Sequence, residues 1–307
     1  MSSVDEVRFS RRTPWLLLAL LSVGLAIVAW RLWSWHGRSK DVAVSEAGAG
    51  RPAAPAAPAP VVPPRVPPVD MSTAAALEAK GDLAAARAAY LRLLAAATDE
   101  RDREEVEKRL NRIGIALVFS PLPMPEKVDY VMQKGDSLDK IAKKFGATVD
   151  VVKQGNAVGD PNRVRAGTRL KVLSAKFSLL VSKSRNDLVV RLNDTFLKRY
   201  TVGTGKPGKT PAGTFVITDK QKDPAWTSPE GKEIPFGDPA NILGTRWMSI
   251  RSTGTTDPTL HGYGIHGTWD TNSIGKQESA GCVRMRNADV EELFALVPAY
   301  TPVTIVE

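Results

Sequence analysis

Cys282 is the only cysteine in 307 residues, and it sits in the stretch Ser279-Ala280-Gly281-Cys282-Val283-Arg284. A thiol with an ordinary pKa of about 8.5 is mostly protonated at neutral pH, so it becomes a nucleophile only beside a base or a positive field. His266, 16 positions earlier in Ile265-His266-Gly267-Thr268, carries the side chain whose unperturbed pKa suits that exchange. Glycines flanking these two positions remove bulk where a substrate carbonyl must approach, and leave main-chain N–H groups for an oxyanion. Residue types therefore permit a nucleophile with its base. They equally permit a structural cysteine, or a zinc site of His261, His266 and Cys282 completed by a carboxylate or water.

The elements that must hold this pair are short strands. FSLLVSK, DLVVRLN, FLKRYTV, KTPAGTFVI and RWMSIRS are separated by turn residues such as Ser184-Arg185-Asn186 and Asn193-Asp194. Strands at that spacing predict an all-β sandwich or barrel-like fold. Near the end, Asn287 is expected to cap a helix that places Val290, Leu293, Phe294 and Val297 on one face.

Upstream, a short strand around Tyr130 leads through Lys134-Gly135-Asp136 into a helix with Leu138, Ile141, Ala142 and Phe145 at helical spacing, capped by Asp136 or Ser137. Thr148 can cap a second short helix, and Leu170 to Leu173 read as a closing strand. Residues 72–120 read as helices that bring together Leu77, Tyr90, Leu91 and Leu94, then Val106, Leu110 and Ile113. This segment is expected to be a small helical spacer, with a surface for a protein partner as a further reading. Its AxxLEAKGDLAAARAAYLRLL pattern resembles one tetratricopeptide hairpin, and a single such repeat cannot bury its own face.

Residues 41–70 are rich in Pro and Ala, a composition that favours semi-rigid extended chain at about 3.1 Å per residue. Before them, residues 14–35 form an uncharged apolar run with Trp15 at one end and Trp30, Trp33 and Trp35 at the other. Its length and aromatic ends predict an uncleaved single-pass anchor, with residues 1–13 as a cytoplasmic tail. A cleaved signal peptide is the competing reading, but bulky Trp and Arg follow the run where small residues would be needed. Arginines flank both ends and leave the orientation open. The formal charge of +9 suits an anionic surface such as phospholipid or acidic wall polymer. No basic stripe is interleaved with aromatics, which argues against nucleic acid.

Two resemblances join these parts. YVMQKGDSLDKIAKKFGATVDVVKQGNAV and VRAGTRLKV resemble the LysM module, here residues 128–174. The resemblance implies binding of glycans containing N-acetylglucosamine, in a groove around Gly135, Asp136, Ser137 and Asn156; a plain turn role for Asn156 stands beside that reading. IHGTWDTNSIGKQESAGCVRMRNADVEEL, with GTGKPGKTPAGTFVI and NILGTRWM upstream, resembles the YkuD-type L,D-transpeptidase domain, here residues 175–307.

That second resemblance implies a peptidoglycan L,D-transpeptidase without a cofactor or metal. Cys282 would form a thioester with a tetrapeptide stem, releasing D-Ala, and pass the acyl group to an acceptor amine to give a 3→3 cross-link. Water or a wall-bound protein as acceptor, or an inactive wall-binding scaffold, are the alternatives. His266 would be the base, oriented through the carbonyl of Gly267, and Gly281 and Cys282 N–H groups would hold the oxyanion. Ser279 would shape the turn. Arg284 would meet a substrate carboxylate, raise thiolate occupancy or brace the site through a salt bridge, and His261 would line the donor groove or make a surface hydrogen bond. Many relatives carry a second histidine where this chain has Ala280. The overall expectation is a multidomain chain: membrane helix, Pro/Ala linker, helical spacer, βααβ LysM module and mostly β catalytic domain. The linker and domains would lie on the wall side of the membrane.

Overall fold

The computed structural model describes residues 70–307. The expected tail and anchor, and all of the linker but its last residue, lie outside the described residues. Among the described residues no helix is long and apolar enough to cross a membrane.

Three helices come first, α1 (Ser72–Ala79), α2 (Leu83–Ala96) and α3 (Glu100–Val118). Asp82 caps α2 by accepting from the Ala85 N–H at 3.1 Å, and Asp99 caps α3 through the Arg101 N–H at 2.8 Å. In α3, Val106, Leu110, Ile113 and Leu117 recur at steps of three and four and are all buried. A lone helical hairpin needs a neighbour for such a face, and the C-terminal sheet supplies it. The strand Thr195–Thr201 lies along α3. Arg199 on that strand forks onto Glu107 at 2.6 and 2.8 Å and also pairs with Asp187, while its N–H donates to Asn111 Oδ1 at 2.9 Å. These bonds fix the helix in register on the strand, so the spacer is built into the domain it precedes.

Gly114 marks the closest approach. A Cβ there would sit 2.8 Å from Leu197 Cδ1 and 3.0 Å from the Leu197 carbonyl oxygen. Gly114→Leu should therefore push α3 off the strand and cost about 1–3 kcal/mol, typical of overpacking. Thermal unfolding of the full chain reads this as a lower Tm, and an unchanged Tm would mean the spacer docks only loosely.

Next, β1 (Lys127–Val131) and β2 (Arg169–Leu173) pair antiparallel around α4 (Leu138–Phe145) and α5 (Val149–Gln154), a βααβ unit. Ser137 caps α4 and Thr148 caps α5. The Thr148 hydroxyl also donates to the Ala295 carbonyl, tying this unit to the last helix of the chain.

The rest is built on one continuous mixed sheet of eight hydrogen-bonded strands. In chain order its strands are β3 (Phe177–Ser182), β4 (Asp187–Leu192), β5 (Thr195–Thr201), β7 (Gly213–Lys222), β10 (Arg246–Ser252), β11 (Gly264–Thr268), β13 (Val283–Arg286) and β14 (Pro302–Val306). In space they run β13-β11-β10-β7-β14-β3-β4-β5. Small ladders sit outside it: β6 (Thr204–Gly205) with β12 (Gln277–Ser279), and β8 (Trp226–Thr227) with β9 (Glu233–Ile234). A helix, α6 (Asn287–Leu296), packs on β10, β11 and β13.

The α6 start differs from expectation in one respect. Arg286 occupies the cap position, and Asn287 does not cap its own helix. Its Oδ1 instead accepts from the Thr245 N–H at 3.2 Å, fastening α6 to the entry of β10.

Candidate active site

Strand register assembles the site. β11 and β13 are parallel neighbours in which His266 faces Arg284 and Ile265 faces Val283. Side chains alternate faces along a strand, so His266 and Arg284 share one face, and Cys282, two positions before Arg284, sits at that same side. Ile265 and Val283 point the other way into the core, both essentially inaccessible. Trp247 pairs with His266 across β10 and with Gln221 across β7, which extends the same face outward. The result is a hollow of about 430 Å³ lined by Trp226, Leu243, Trp247, His266, Cys282 and Arg284 among others.

The imidazole is buried and tightly placed. Its Nδ1 lies 2.6 Å from the Gly267 carbonyl oxygen. A carbonyl can only accept, so Nδ1 carries the proton and Nε2 keeps a lone pair. Gly267 O also accepts from the Gly244 N–H at 2.9 Å, which holds the carbonyl still. A side chain at Gly267 would overlap Asn287 Oδ1, so the Asn287 clamp and this glycine belong to one construction. Trp247 lies beside the imidazole with ring centroids 5.5 Å apart and planes at 33°. Burial lowers the His266 pKa to about 4; the bond to Gly267 works against this, and the charge of Arg284 adds to it. The ring is therefore neutral at physiological pH, the state a base needs.

Cys282 follows a tightly held turn. Gly281 has φ +146°, and a Cβ there would press within 2.8 Å of both the Lys209 carbonyl and the Tyr263 ring. Ser279 Oγ donates to the Cys282 carbonyl at 2.7 Å and accepts from the Gly281 N–H at 3.1 Å. Thr210 Oγ1 donates to the Gly281 carbonyl at 2.8 Å and accepts from the Gly205 N–H at 2.7 Å. The thiol is half-buried, 3.7 Å from the Gly262 carbonyl. Burial raises its pKa, while a main-chain hydrogen bond at Gly264 and the Arg284 charge act in the opposite direction. The resting pair is accordingly a neutral thiol and a neutral imidazole. Iodoacetamide should alkylate the free protein slowly at neutral pH, at a rate still climbing above about pH 9. A rate that levels off below neutrality would reveal a preformed thiolate.

Other expected residues fall in different places. Gly281 does not offer an open oxyanion donor, because its N–H is already given to Ser279. Arg284 is half-buried and its guanidinium has no ion-pair or hydrogen-bond partner among the described residues, so the bracing salt bridge is not formed. His261 is exposed and its Nδ1 meets the Thr259 carbonyl of its own loop at 2.6 Å; its neighbour Gly262 lines the hollow and His261 itself does not. In the βααβ unit, Asp136 Oδ2 accepts from Tyr130 OH and the Gln133 N–H, both at 2.8 Å, and Ser137 caps α4. Gly135 is exposed at the same turn. Asn156 spends its amide on Val152 O at 2.8 Å and on both main-chain groups of Lys171 at 2.9 and 2.7 Å, which clamps α5 to β2.

Trp247, Gln221 and Leu243 join the site without being singled out by sequence reasoning. The segment Leu243-Gly244-Thr245-Arg246-Trp247 stands out as a pattern, but only pairing of β10 with β11 shows that its Trp lies on the imidazole.

A thiol and an imidazole with Nε2 unprotonated, on one sheet face and in a common hollow, are the groups that acyl transfer requires. Comparison with known proteins gives the same class. A profile of the YkuD L,D-transpeptidase catalytic domain matches residues 176–305, and one of the LysM domain matches residues 130–173. YqjB of Bacillus subtilis, assigned to the L,D-transpeptidases, is 40% identical over 130 residues, 42% of this chain and 70% of its own. YkuD of the same organism, assigned likewise, is 32% identical over 183 residues, 57% of this chain and 97% of its own. Among solved structures, an L,D-transpeptidase from Mycobacterium smegmatis aligns at 18% identity with a TM-score of 0.34, over 46% of this chain and less than two thirds (64%) of that one. The chain belongs to the L,D-transpeptidase family, with a LysM domain preceding a mostly β catalytic domain.

Proposed function

We propose that the chain is a cysteine-dependent peptidoglycan L,D-transpeptidase, anchored in the cell membrane by residues 14–35 with its domains on the wall side. The observation that carries the chemistry is the Nδ1 bond from His266 to the Gly267 carbonyl, which leaves Nε2 unprotonated in the same hollow as the only thiol.

Acylation begins when Cys282 Sγ attacks the carbonyl that joins the third residue of a tetrapeptide stem to D-Ala, while the thiol proton passes to His266 Nε2. The carbonyl oxygen becomes an oxyanion, for which the Cys282 N–H is the candidate donor now that Gly281 N–H is engaged. The C–N bond then breaks, the imidazolium returns its proton to the leaving amine, and a thioester remains. An acceptor amine attacks the thioester, gives its proton to His266, and releases the thiol as the new amide forms. Arg284, unpaired among the described residues and close to the thiol, is placed to meet a carboxylate of the stem and to favour developing negative charge on sulfur. The LysM module would hold glycan strands near the site, and its bond from Thr148 to α6 fixes its orientation toward the sheet. A protein partner for the spacer would have to use surface other than the face α3 gives to β5.

The test uses the full chain in detergent, because removing residues 72–120 would bare Leu197 and Arg199. It is mixed with disaccharide-tetrapeptide and followed by mass spectrometry. Loss of D-Ala with a thioester adduct and then dimer establishes the transpeptidase. Tripeptide alone would indicate a carboxypeptidase, and an unchanged mass would leave a wall-binding scaffold.

A further inference from the structure

Strand register places a neighbour on each side of His266. The parallel match of β11 with β13 sets Arg284 on one side, and the antiparallel match of β10 with β11 sets Trp247 on the other. The same β10–β11 match pairs Ser249 with Gly264, two positions away on each strand. Residues two apart on a strand share a face, so Trp247, Ser249, Gly264 and His266 lie together on the face that carries the hollow.

The indole of Trp247 fills the space above these four positions. Its Nε1 donates to Ser249 Oγ at 2.7 Å, which fixes the ring system along β10. A Cβ at Gly264 would lie 2.6 Å from Cη2 and 2.7 Å from Cζ2 of that indole, so the ring rests directly on the glycine. From there it reaches the imidazole, with centroids 5.5 Å apart and planes at 33°, a close aromatic pair. Both rings border the hollow, yet His266 is only 3% exposed. The main chain at Gly264 also meets the Cys282 thiol, so the glycine under the indole serves both reacting groups.

Charged groups around the ring are few. From β13 it is faced by Arg284 and the Cys282 thiol. β10 presents the uncharged indole, while Arg246 of that strand is held by the Thr245 carbonyl at 2.6 Å and by Asp223 at 3.4 Å. On α6, Asp289 pairs with Arg286 at 3.8 Å, Glu291 with Arg246 at 4.0 Å, and Glu292 with Lys198. These acids have other partners, which leaves water as the main stabiliser a charged imidazole could gain. An aromatic wall over the ring removes that water.

Resting on the transpeptidase reading, we infer that Trp247 is a positioning residue for the base: its indole, latched to Ser249 and seated on Gly264, keeps water off the imidazole of His266 and fixes the plane of its ring. Gly264 is conserved in role by this seat, since any side chain there would lift the wall.

The experiment follows His266 protonation by histidine side-chain NMR on the full chain in detergent. The chain has three histidines, and the signal of interest is the one lost in His266→Ala. In the parent the ring titrates at about 4. Trp247→Phe keeps a smaller apolar ring without the latch and should raise the midpoint to about 5. Trp247→Ala admits water and should raise it to about 6, toward the ordinary histidine value. With midpoints of about 6 and 4, the neutral fraction at pH 5 differs about tenfold between Trp247→Ala and the parent, and at pH 8 hardly at all. The loss of kcat/KM for D-Ala release should therefore be about tenfold larger at pH 5 than at pH 8, beyond a loss of about 10²-fold at both from misplacement of the base. A residue that only supports the fold would lower kcat/KM by one factor at both pH values, and that result would overturn the assignment. So would a midpoint that stays at about 4 in Trp247→Ala, or in Trp247→Phe if circular dichroism shows the alanine variant unfolded. The titration needs no substrate. Absence of D-Ala release from the parent would thus sink the transpeptidase reading, while the midpoints still decide whether Trp247 is the wall.

Discussion

Cys282→Ala abolishes D-Ala release and thioester formation, to the limit of detection, while the protein keeps its fold and its affinity for isolated glycan strands. The expected loss is on the order of 10⁴-fold or more, because no second group can take over the covalent step and nucleophile deletions in such units are not partly compensated. Retention of the fold follows from the geometry. The sulfur's hydrogen-bond contacts are to main-chain groups only, 3.7 Å to the Gly262 carbonyl and one at Gly264, and the turn is held by Ser279, Gly281 and Thr210 through main-chain groups that alanine preserves. A Tm within a few degrees of the parent is the control. Glycan binding is expected of the LysM module, which touches the catalytic domain through α5 and α6. Turnover in Cys282→Ala would end the covalent mechanism. Turnover lost together with wall binding would mean that the variant is simply misfolded.

Much of this site is legible in the sequence, because its signals are local. Cys282 and His266 announce themselves by rarity and by small neighbours, and the LysM helices by caps and apolar spacing that depend on a few adjacent residues. What is not legible there depends on pairing between distant segments. The 16 positions from His266 to Cys282 become adjacent because β11 and β13 lie parallel, and nothing in the spacing itself dictates that register. The same holds for Trp247, whose place on the imidazole comes from the antiparallel match of β10 to β11. Gly281 misleads for a different reason. A glycine before a nucleophile offers an N–H in principle, but whether that N–H is open depends on where the Ser279 hydroxyl points. Asn287 has the composition of a cap, and its amide goes to Thr245 because α6 needs fastening to β10 more than its first turn needs a side-chain acceptor.

The helical segment shows the limit of pattern most clearly. One hairpin with an apolar stripe reads as an orphan seeking a partner, and the partner lies 88 to 92 residues downstream in β5. Two unrelated oddities carry the signal: Gly114 in the middle of an amphipathic helix, and Glu107 on its buried side. A glycine at a helix centre costs about 1 kcal/mol relative to alanine, which is tolerable when another backbone must come close. A buried carboxylate requires a cation, and Arg199 supplies it. The consequence is mechanical. Spacer, LysM and catalytic sheet share contacts, so the described residues form one body in which the helices do not swing free of the sheet.

His266→Ala should lower the acylation rate by about 10²–10⁴, the usual range for loss of a positioned base, with little change in substrate affinity. The pH dependence gives this prediction its sharper form. In the fold the imidazole titrates near 4, well below its ordinary value, because burial opposes the charged ring and Arg284 adds repulsion. The acid limb of kcat/KM, which reports the free enzyme, should therefore lie near pH 4 and not near 6.5, with the alkaline limb set by a thiol raised above its ordinary range. The same shift is a stability term. Between about pH 6.5 and 4 the unfolded chain binds a proton at this residue that the folded chain refuses, so stability falls as pH drops through that window and is fully present above it. At about 1.4 kcal/mol per pKa unit the loss is on the order of 3 kcal/mol by pH 4. His266→Ala removes that acid-labile term. Its Tm should be lower than the parent's at pH 8, through the cavity left beside Trp247, and the gap should narrow as the pH falls toward 4. An acid limb at 6.5 with parallel Tm curves would show that the ring is solvated and that its burial does not hold in solution.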